Sequence, residues 1–136
     1  MSMEQVHAIM KEAGACFMAT TDGQKAAVRP MGGGARVGDE LWFATAANTA
    51  KVAEIKAQPS VELCYANKQW RHVRISGTAV VSTDGAEKKK LFDMVPVLEK
   101  YFSGPEDPVY VVLKIKVERI RLMMVDDMQY TEVKPG

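Results

Sequence analysis

The feature that most constrains this fold is a series of short apolar runs separated by turn-forming residues. Asp22-Gly23 lies between two such runs, 15–21 and 25–31, and an Asp-Gly pair in that setting is a strong signal for a β-hairpin. From Val109 to Val117, apolar residues alternate with more polar ones, as in a half-buried strand. Further strands are predicted over 41–45, 61–66 and 73–82, with a last hairpin around Asp126-Asp127.

Helical patterns are fewer. An amphipathic pattern predicts a helix over 3–13, and a second helix follows a capping residue at Asn48 or Thr49. A third begins at Asp84, and Pro96 should kink or split it. The sequence shows no regular alternation of strands and helices, which would indicate a parallel sheet. We therefore expect a mainly β fold with a few helices (α+β). Six or more antiparallel strands would form a closed or nearly closed barrel.

Length and charge limit the possible functions. The 136 residues fit one domain, 1–136, and leave little room for a second. The net charge of +1 gives no electrostatic reason to expect a nucleic acid or an acidic membrane as partner. Aromatic residues make up 7% of the chain, which is too few for a groove that stacks single-stranded bases.

The cysteines and the N-terminus bear on the compartment. Cys16 and Cys64 lie in apolar runs rather than in a ligand spacing, so we expect reduced thiols in a reducing compartment. The start of the chain lacks the pattern of a signal peptide, and no apolar run is long enough for a membrane span. We therefore expect a cytoplasmic protein. His7 and His72 are too few and too scattered to predict a metal site.

One group of residues is suited to an anion. Arg29 ends the second predicted strand, and Lys51 lies in the first turn of the second helix, where a cation opposes the helix dipole. A phosphate at the helix start would remove that conflict, with Thr45, Asn48 and Thr49 as further donors. The alternative is that Lys51 is an ordinary solvated lysine. No catalytic cluster accompanies these residues, and the catalytic residues stay unknown.

The order of four segments resembles a known family. The segments are FMATTDGQKAAVRPM, LWFATAANTAKVAEIKAQPSVEL, RHVRISGTAVV and the run 108–123, which together cover nearly the whole chain. They are similar, in this order and spacing, to the pyridoxamine 5′-phosphate oxidase-like FMN-binding split barrels, in their short single-domain branch. The resemblance implies a split β-barrel, FMN as cofactor, and a homodimer with the flavin at the interface.

The resemblance also implies individual FMN contacts. Lys51 matches a lysine that pairs with the FMN phosphate, and His72 matches a position near the isoalloxazine ring. Ala50 stands where the larger oxidases often carry an arginine, and Thr49 is expected to replace that contact in part. The full set of implied cofactor-binding residues is Arg29, Pro30, Met31, Ala44, Thr45, Thr49, Lys51 and His72.

The triple glycine separates this chain from the vitamin B6 oxidases of the family. Those oxidases carry a basic residue for the substrate phosphate where this chain has Gly32-Gly33-Gly34, a stretch that reads as a bulge or a close backbone approach. True pyridoxamine 5′-phosphate oxidase activity is therefore not expected, unless Arg36 and Arg74 compensate. The short branch instead resembles general stress proteins and nitroimidazole reductases.

Two functional hypotheses follow. The first is an FMN-dependent oxidoreductase that reduces a small molecule with electrons from NADH or NADPH. The second is a non-catalytic protein that binds a flavin, haem or another planar ligand. A third, beside these two functional ones, is a structural dimer with an empty site. A barrel this small hardly encloses a flavin, so a second subunit should supply a wall. The candidates for that wall are Trp70, Tyr101, Met123 and Met124.

Overall fold

The chain folds around one antiparallel sheet of eight strands in a computed structural model, which describes residues 2–32 and 34–135. The strands are β1 (Cys16–Thr21), β2 (Ala26–Met31), β3 (Ala35–Val37), β4 (Glu40–Ala46), β5 (Ser60–Ala66), β6 (His72–Ser82), β7 (Tyr110–Met123) and β8 (Tyr130–Val133). The helices are α1 (Met3–Ala13), α2 (Ala50–Ala57) and α3 (Gly85–Met94), followed by a 3₁₀ segment, Pro96–Lys100. The mainly β fold is therefore confirmed.

The strands are hydrogen-bonded in the order β2-β1-β5-β6-β7-β4-β3, and β8 pairs with β7. The predicted hairpin around Asp22-Gly23 is present, with Met18 opposite Arg29. The chain also divides at Pro96 as expected: α3 ends at Met94, and the 3₁₀ segment begins at Pro96. Since proline lacks the backbone N–H, it cannot continue the hydrogen-bond pattern of α3.

Two features of the sheet differ from the sequence interpretation. A three-residue strand, β3, pairs with β4 through the turn at Gly38-Asp39. β7 extends to Met123, beyond the alternating run that ends at Val117. The alternation is interrupted by a bulge, because Ser76 pairs with Arg119 and the next residue, Gly77, pairs with Val117.

The inward side chains of the strands share one apolar core, which α1 closes with Val6 and Ile9. A smaller cluster lies on the other side of β4 and β7, beneath α3 and the 3₁₀ segment. There Tyr110 donates a 2.8 Å hydrogen bond to the Lys88 carbonyl oxygen and fixes α3 to β7. None of the helices in the described parts of the chain is long and apolar enough to span a membrane.

Candidate functional site

Arg29 is held by three polar partners at the edge strand β2. Its Nη1 donates hydrogen bonds to the Met18 carbonyl oxygen at 3.2 Å and to Thr20 Oγ1 at 2.7 Å. Glu54 of α2 lies beside it, with Oε1 3.6 Å from Arg29 Nη2, and Glu54 Oε2 accepts a 3.4 Å hydrogen bond from Thr20. The direction of the guanidinium is therefore fixed in advance, which lowers the cost of binding an anion.

Lys51 brings a second cation to this region. Its Nζ donates a 2.9 Å hydrogen bond to Thr45 Oγ1 at the end of β4. Burial, together with repulsion from Arg29, lowers the pKa of Lys51 below its usual value. Within residues 2–32 and 34–135, no carboxylate lies within ion-pair distance of Lys51. The positive charge here is therefore only partly compensated by Glu54.

The start of α2 adds hydrogen-bond donors. Thr49 precedes the helix, but its hydroxyl donates to the Ala46 carbonyl oxygen at 2.9 Å and does not cap the helix amides. The first N–H groups of α2 therefore keep their donor capacity, at the positive end of the helix dipole. Two cations, a hydroxyl and free amides form a donor set that fits a phosphate group.

Two unpaired strand edges extend the site away from the cations. β2, which carries Pro30 and Met31, pairs with β1 alone in the part of the chain that the structure describes. β3 pairs with β4 only as far as Trp42, so among the described residues the stretch 43–46 has a strand on one side only. The free edges leave backbone N–H and C=O groups available beside Ala44. Such groups suit a heterocycle that both donates and accepts hydrogen bonds.

The glycine stretch joins these two edges. A Cβ built on Gly34 would lie 2.6 Å from Phe43 Cε1, so the glycine permits a close approach between the backbone and a core ring. Gly32 has open space around it. Gly33 lies outside the described residues.

His72 lies at the start of β6, and its distance from the other predicted site residues differs between the two sides of that strand. Ala44 pairs with Val112 and His72 pairs with Met123, so these two positions are eleven residues apart along β7. On the other side, Arg74 pairs with Cys64, Cys64 with Phe17 and Phe17 with Pro30, so the start of β6 lies three strand spacings, or about 14 Å, from β2. The His72 ring interacts locally: Nε2 lies 2.8 Å from the Tyr130 hydroxyl. A role for His72 beside the cofactor therefore stays a prediction.

Two arginines that sequence reasoning offered as substitutes for the missing basic residue have partners of their own. Arg74 donates to Glu62 Oε2 at 2.7 and 2.9 Å. Arg36 Nη1 lies 3.0 Å from His7 Nε2, and burial and the Arg36 charge lower the pKa of His7. Arg36 therefore contacts an imidazole of α1 whose charged form its own guanidinium disfavours.

Thr20 and Glu54 are the site residues that sequence reasoning missed. Met18 lies directly opposite Arg29 in the hairpin, and Thr20 is two residues further along β1. The Met18 and Thr20 side chains therefore lie on the same face of the strand. Glu54 follows Lys51 by three residues, a spacing that places both side chains on one face of a helix. The register of the hairpin could have indicated Thr20, and the helical spacing from Lys51 could have indicated Glu54. No group of three potential metal ligands occurs among the described residues.

Comparison with known proteins identifies the family. The sequence model described as "Pyridoxamine 5′-phosphate oxidase like" matches residues 1–122. The chain belongs to the pyridoxamine 5′-phosphate oxidase-like family. No curated protein matches it.

Solved structures agree on the fold. A NimC/NimA family protein from Clostridium acetobutylicum is similar with a TM-score of 0.84 and 20% identity, over 96% of this chain and 90% of that one. General Stress Protein 26 from Bacillus anthracis str. Sterne gives 0.77 and 22%, over 95% and 96%. A structure named F420 Reductase gives 0.62 and 20%, over 84% and 94%. At these identities the similarity establishes the split-barrel architecture, and function needs a separate argument.

Proposed function

We propose that this chain binds FMN and is an FMN-dependent oxidoreductase, which reduces a small molecule with electrons from NADH or NADPH. The observation that carries the proposal is the incompletely compensated pair of cations, Arg29 and Lys51, beside the uncapped start of α2. The family and a neighbour named F420 Reductase support redox chemistry on a flavin or a related cofactor. The free Cys16 and Cys64 suit a reducing compartment, and we propose the cytoplasm.

The side chains of the site would bind and orient the cofactor. Arg29, Lys51 and Thr45 would hold the phosphate with their side chains, and Thr49, whose hydroxyl is engaged by Ala46, would contribute through its backbone N–H. Thr20 and Glu54 keep the guanidinium in position. The backbone of Pro30, Met31 and Ala44 would meet the ring system along the two free strand edges. Bound FMN supplies the redox chemistry, since it takes up two electrons from a nicotinamide and passes them on.

We further propose a homodimer with the flavin at the interface. Trp70 is 73% exposed and Tyr101 is 72% exposed, so both rings are free to cover a ligand or a partner. Met123 and Met124 are partly buried and contribute less surface. In such a dimer, His72 of one subunit would reach the flavin of the other.

Pyridoxamine 5′-phosphate is expected to be a poor substrate. Arg74 is engaged by Glu62 and Arg36 contacts His7, so neither is a free substitute for the basic residue that the glycines replace. A substrate phosphate would therefore lack the contact that positions the reacting carbon, and misplacement alone costs about a hundredfold in rate.

The test is an equilibrium titration of the chain with FMN and with riboflavin, which differ by the phosphate. The wild type should prefer FMN, and Arg29→Ala should weaken FMN binding by about tenfold or more while hardly affecting riboflavin. Arg119→Ala, at an exposed arginine paired with Glu132, is the matched control and should leave both affinities unchanged. Equal affinity of the wild type for the two ligands would refute the phosphate site.

The second candidate function is non-catalytic ligand binding, and the FMN titration together with a reduction assay distinguishes it from an oxidoreductase. Tight FMN binding without reduction by either nicotinamide would support that function. A preference for haem over FMN would refute the flavin proposal altogether.

A further inference from the structure

A pocket of about 490 Å³ lies between β4 and the segment that follows α3. Ala44 and Ala46 form one wall from the strand. Val97 and Tyr101 form the opposite wall, and Val109 lies beside them. Its volume is within the range of pockets that hold small molecules, about 300–1,000 Å³.

The lining of the pocket is uncharged. None of the described residues around it is an Asp, Glu, Lys, Arg or His, and the Tyr101 hydroxyl is the sole polar side-chain group among them. Phe102 supplies a second aromatic ring. A charged ligand would gain no charged partner from this lining, whereas an apolar planar ligand would gain contact with the two rings.

The pocket adjoins the proposed flavin site. Ala44 belongs both to the pocket and to the strand edge assigned to the cofactor, and Gly32 directly follows Met31 of β2. Thr45, which holds Lys51, alternates with Ala44 and Ala46 and so faces the opposite side of β4. The cations and the apolar pocket are thus separated by the strand itself.

From this arrangement we propose that the pocket binds the compound that the flavin reduces, and that this compound is an uncharged, planar, apolar molecule such as a quinone. The proposal rests on the proposed function. In the overall reaction a quinone, the nicotinamide and one proton from solvent give a hydroquinone and the oxidised nicotinamide. The quinone thereby gains two electrons and two protons, one of them within the hydride from the nicotinamide.

The test compares two probes of the same ring size by quenching of tryptophan fluorescence, since Trp42 lies in the apolar cluster next to the pocket. The uncharged probe is 2-(hydroxymethyl)anthraquinone, and the anionic probe is anthraquinone-2-sulfonate. The wild type should bind the uncharged probe at least about tenfold more tightly. The full chain is used without added cofactor and again after loading with FMN.

Three variants locate the binding. Val97→Asp places a charge in the pocket and should lower the affinity for the uncharged probe by about tenfold or more. Ala46→Leu fills space in the pocket and should lower the affinity for both probes. Val80→Asp, at an exposed valine of β6 outside the pocket, is the matched control and should change neither affinity. FMN affinity, measured in parallel, should differ by less than about twofold between Val97→Asp and wild type.

The outcomes separate the two proposals. Loss of probe affinity in Val97→Asp with normal FMN binding supports both. Normal FMN binding with no preference for the uncharged probe, or with equal effects of Val97→Asp and Val80→Asp, overturns the substrate class and leaves the flavin function standing. Absence of FMN binding overturns the flavin function, and with it the assignment of the pocket to a substrate. Conversion of Val97→Asp to monomers with unchanged probe affinity would show that a second copy covers the pocket, and it would overturn the assignment of the pocket to a substrate.

Discussion

Replacement of Lys51 by methionine should weaken FMN binding by about tenfold to a hundredfold. Methionine keeps the length and the apolar stem of the side chain but removes the charge and the donor that lies 2.9 Å from Thr45 Oγ1. A hydrogen bond to a charged group contributes about 1.5–3 kcal/mol, which converts to that range of affinity. Riboflavin, which lacks the phosphate, should bind the variant and the wild type equally.

The same variant makes a prediction about pH. Burial and Arg29 lower the pKa of Lys51, so the free chain releases this proton at a lower pH than a solvated lysine does. A bound phosphate favours the charged amine and raises the pKa again. FMN affinity should therefore fall as the pH rises through the pKa of Lys51 in the free chain, and Lys51→Met should lack this fall.

The assay is a titration of FMN fluorescence at several pH values. Lys56→Met is the control, because Lys56 lies exposed in the last turn of the same helix and away from Thr45. An equal change in FMN affinity in Lys51→Met and Lys56→Met would refute the assignment of Lys51 to the phosphate. An equal loss of affinity for FMN and for riboflavin in Lys51→Met would refute it as well.

Three further predictions concern the hairpin, the bulge and the thiols. Thr20→Val should weaken FMN binding several-fold, because Arg29 loses its 2.7 Å hydrogen bond; unchanged affinity in the FMN titration would contradict this. Gly77→Ala should lower the free energy of unfolding by about 1–3 kcal/mol in urea, since the added Cβ would collide with the backbone of β7. Gly85→Ala is the control: Gly85 has open space around it, so this variant should leave the free energy of unfolding unchanged. Burial raises the pKa of Cys16 to about 11, so Cys16 should react with a disulfide reagent more slowly than the half-buried Cys64, and the reverse order would count against the fold.

The elements with a local chemical signal could be predicted from the sequence. The hairpin at Asp22-Gly23 is specified by the turn pair and by apolar runs on both sides, and the division at Pro96 by the missing backbone donor. β3 could not be predicted, because three residues are too few to show a period and their pairing partner lies across a turn. The length of β7 was hidden by the bulge opposite Gly77, which shifts the alternation by one residue.

The site follows the same division. Arg29 and Lys51 stand out as cations at a strand end and a helix start, which suggested one anion site, and the family resemblance assigned that site to the FMN phosphate. Glu54 was missed because its role depends on the packing of α2 against β1, a long-range contact that no local pattern specifies. The uncharged pocket beside Ala44 likewise arises from the docking of the 3₁₀ segment on β4, which becomes apparent only in three dimensions.

The most direct test of the proposed function is the visible spectrum of the FMN-loaded chain during anaerobic addition of NADH and then NADPH. The proposal predicts the absorption bands of a protein-bound oxidised flavin, which bleach on addition of at least one of the two nicotinamides. A flavin spectrum that neither nicotinamide changes would contradict the oxidoreductase assignment, and a chain that retains no flavin after gel filtration would contradict the cofactor itself.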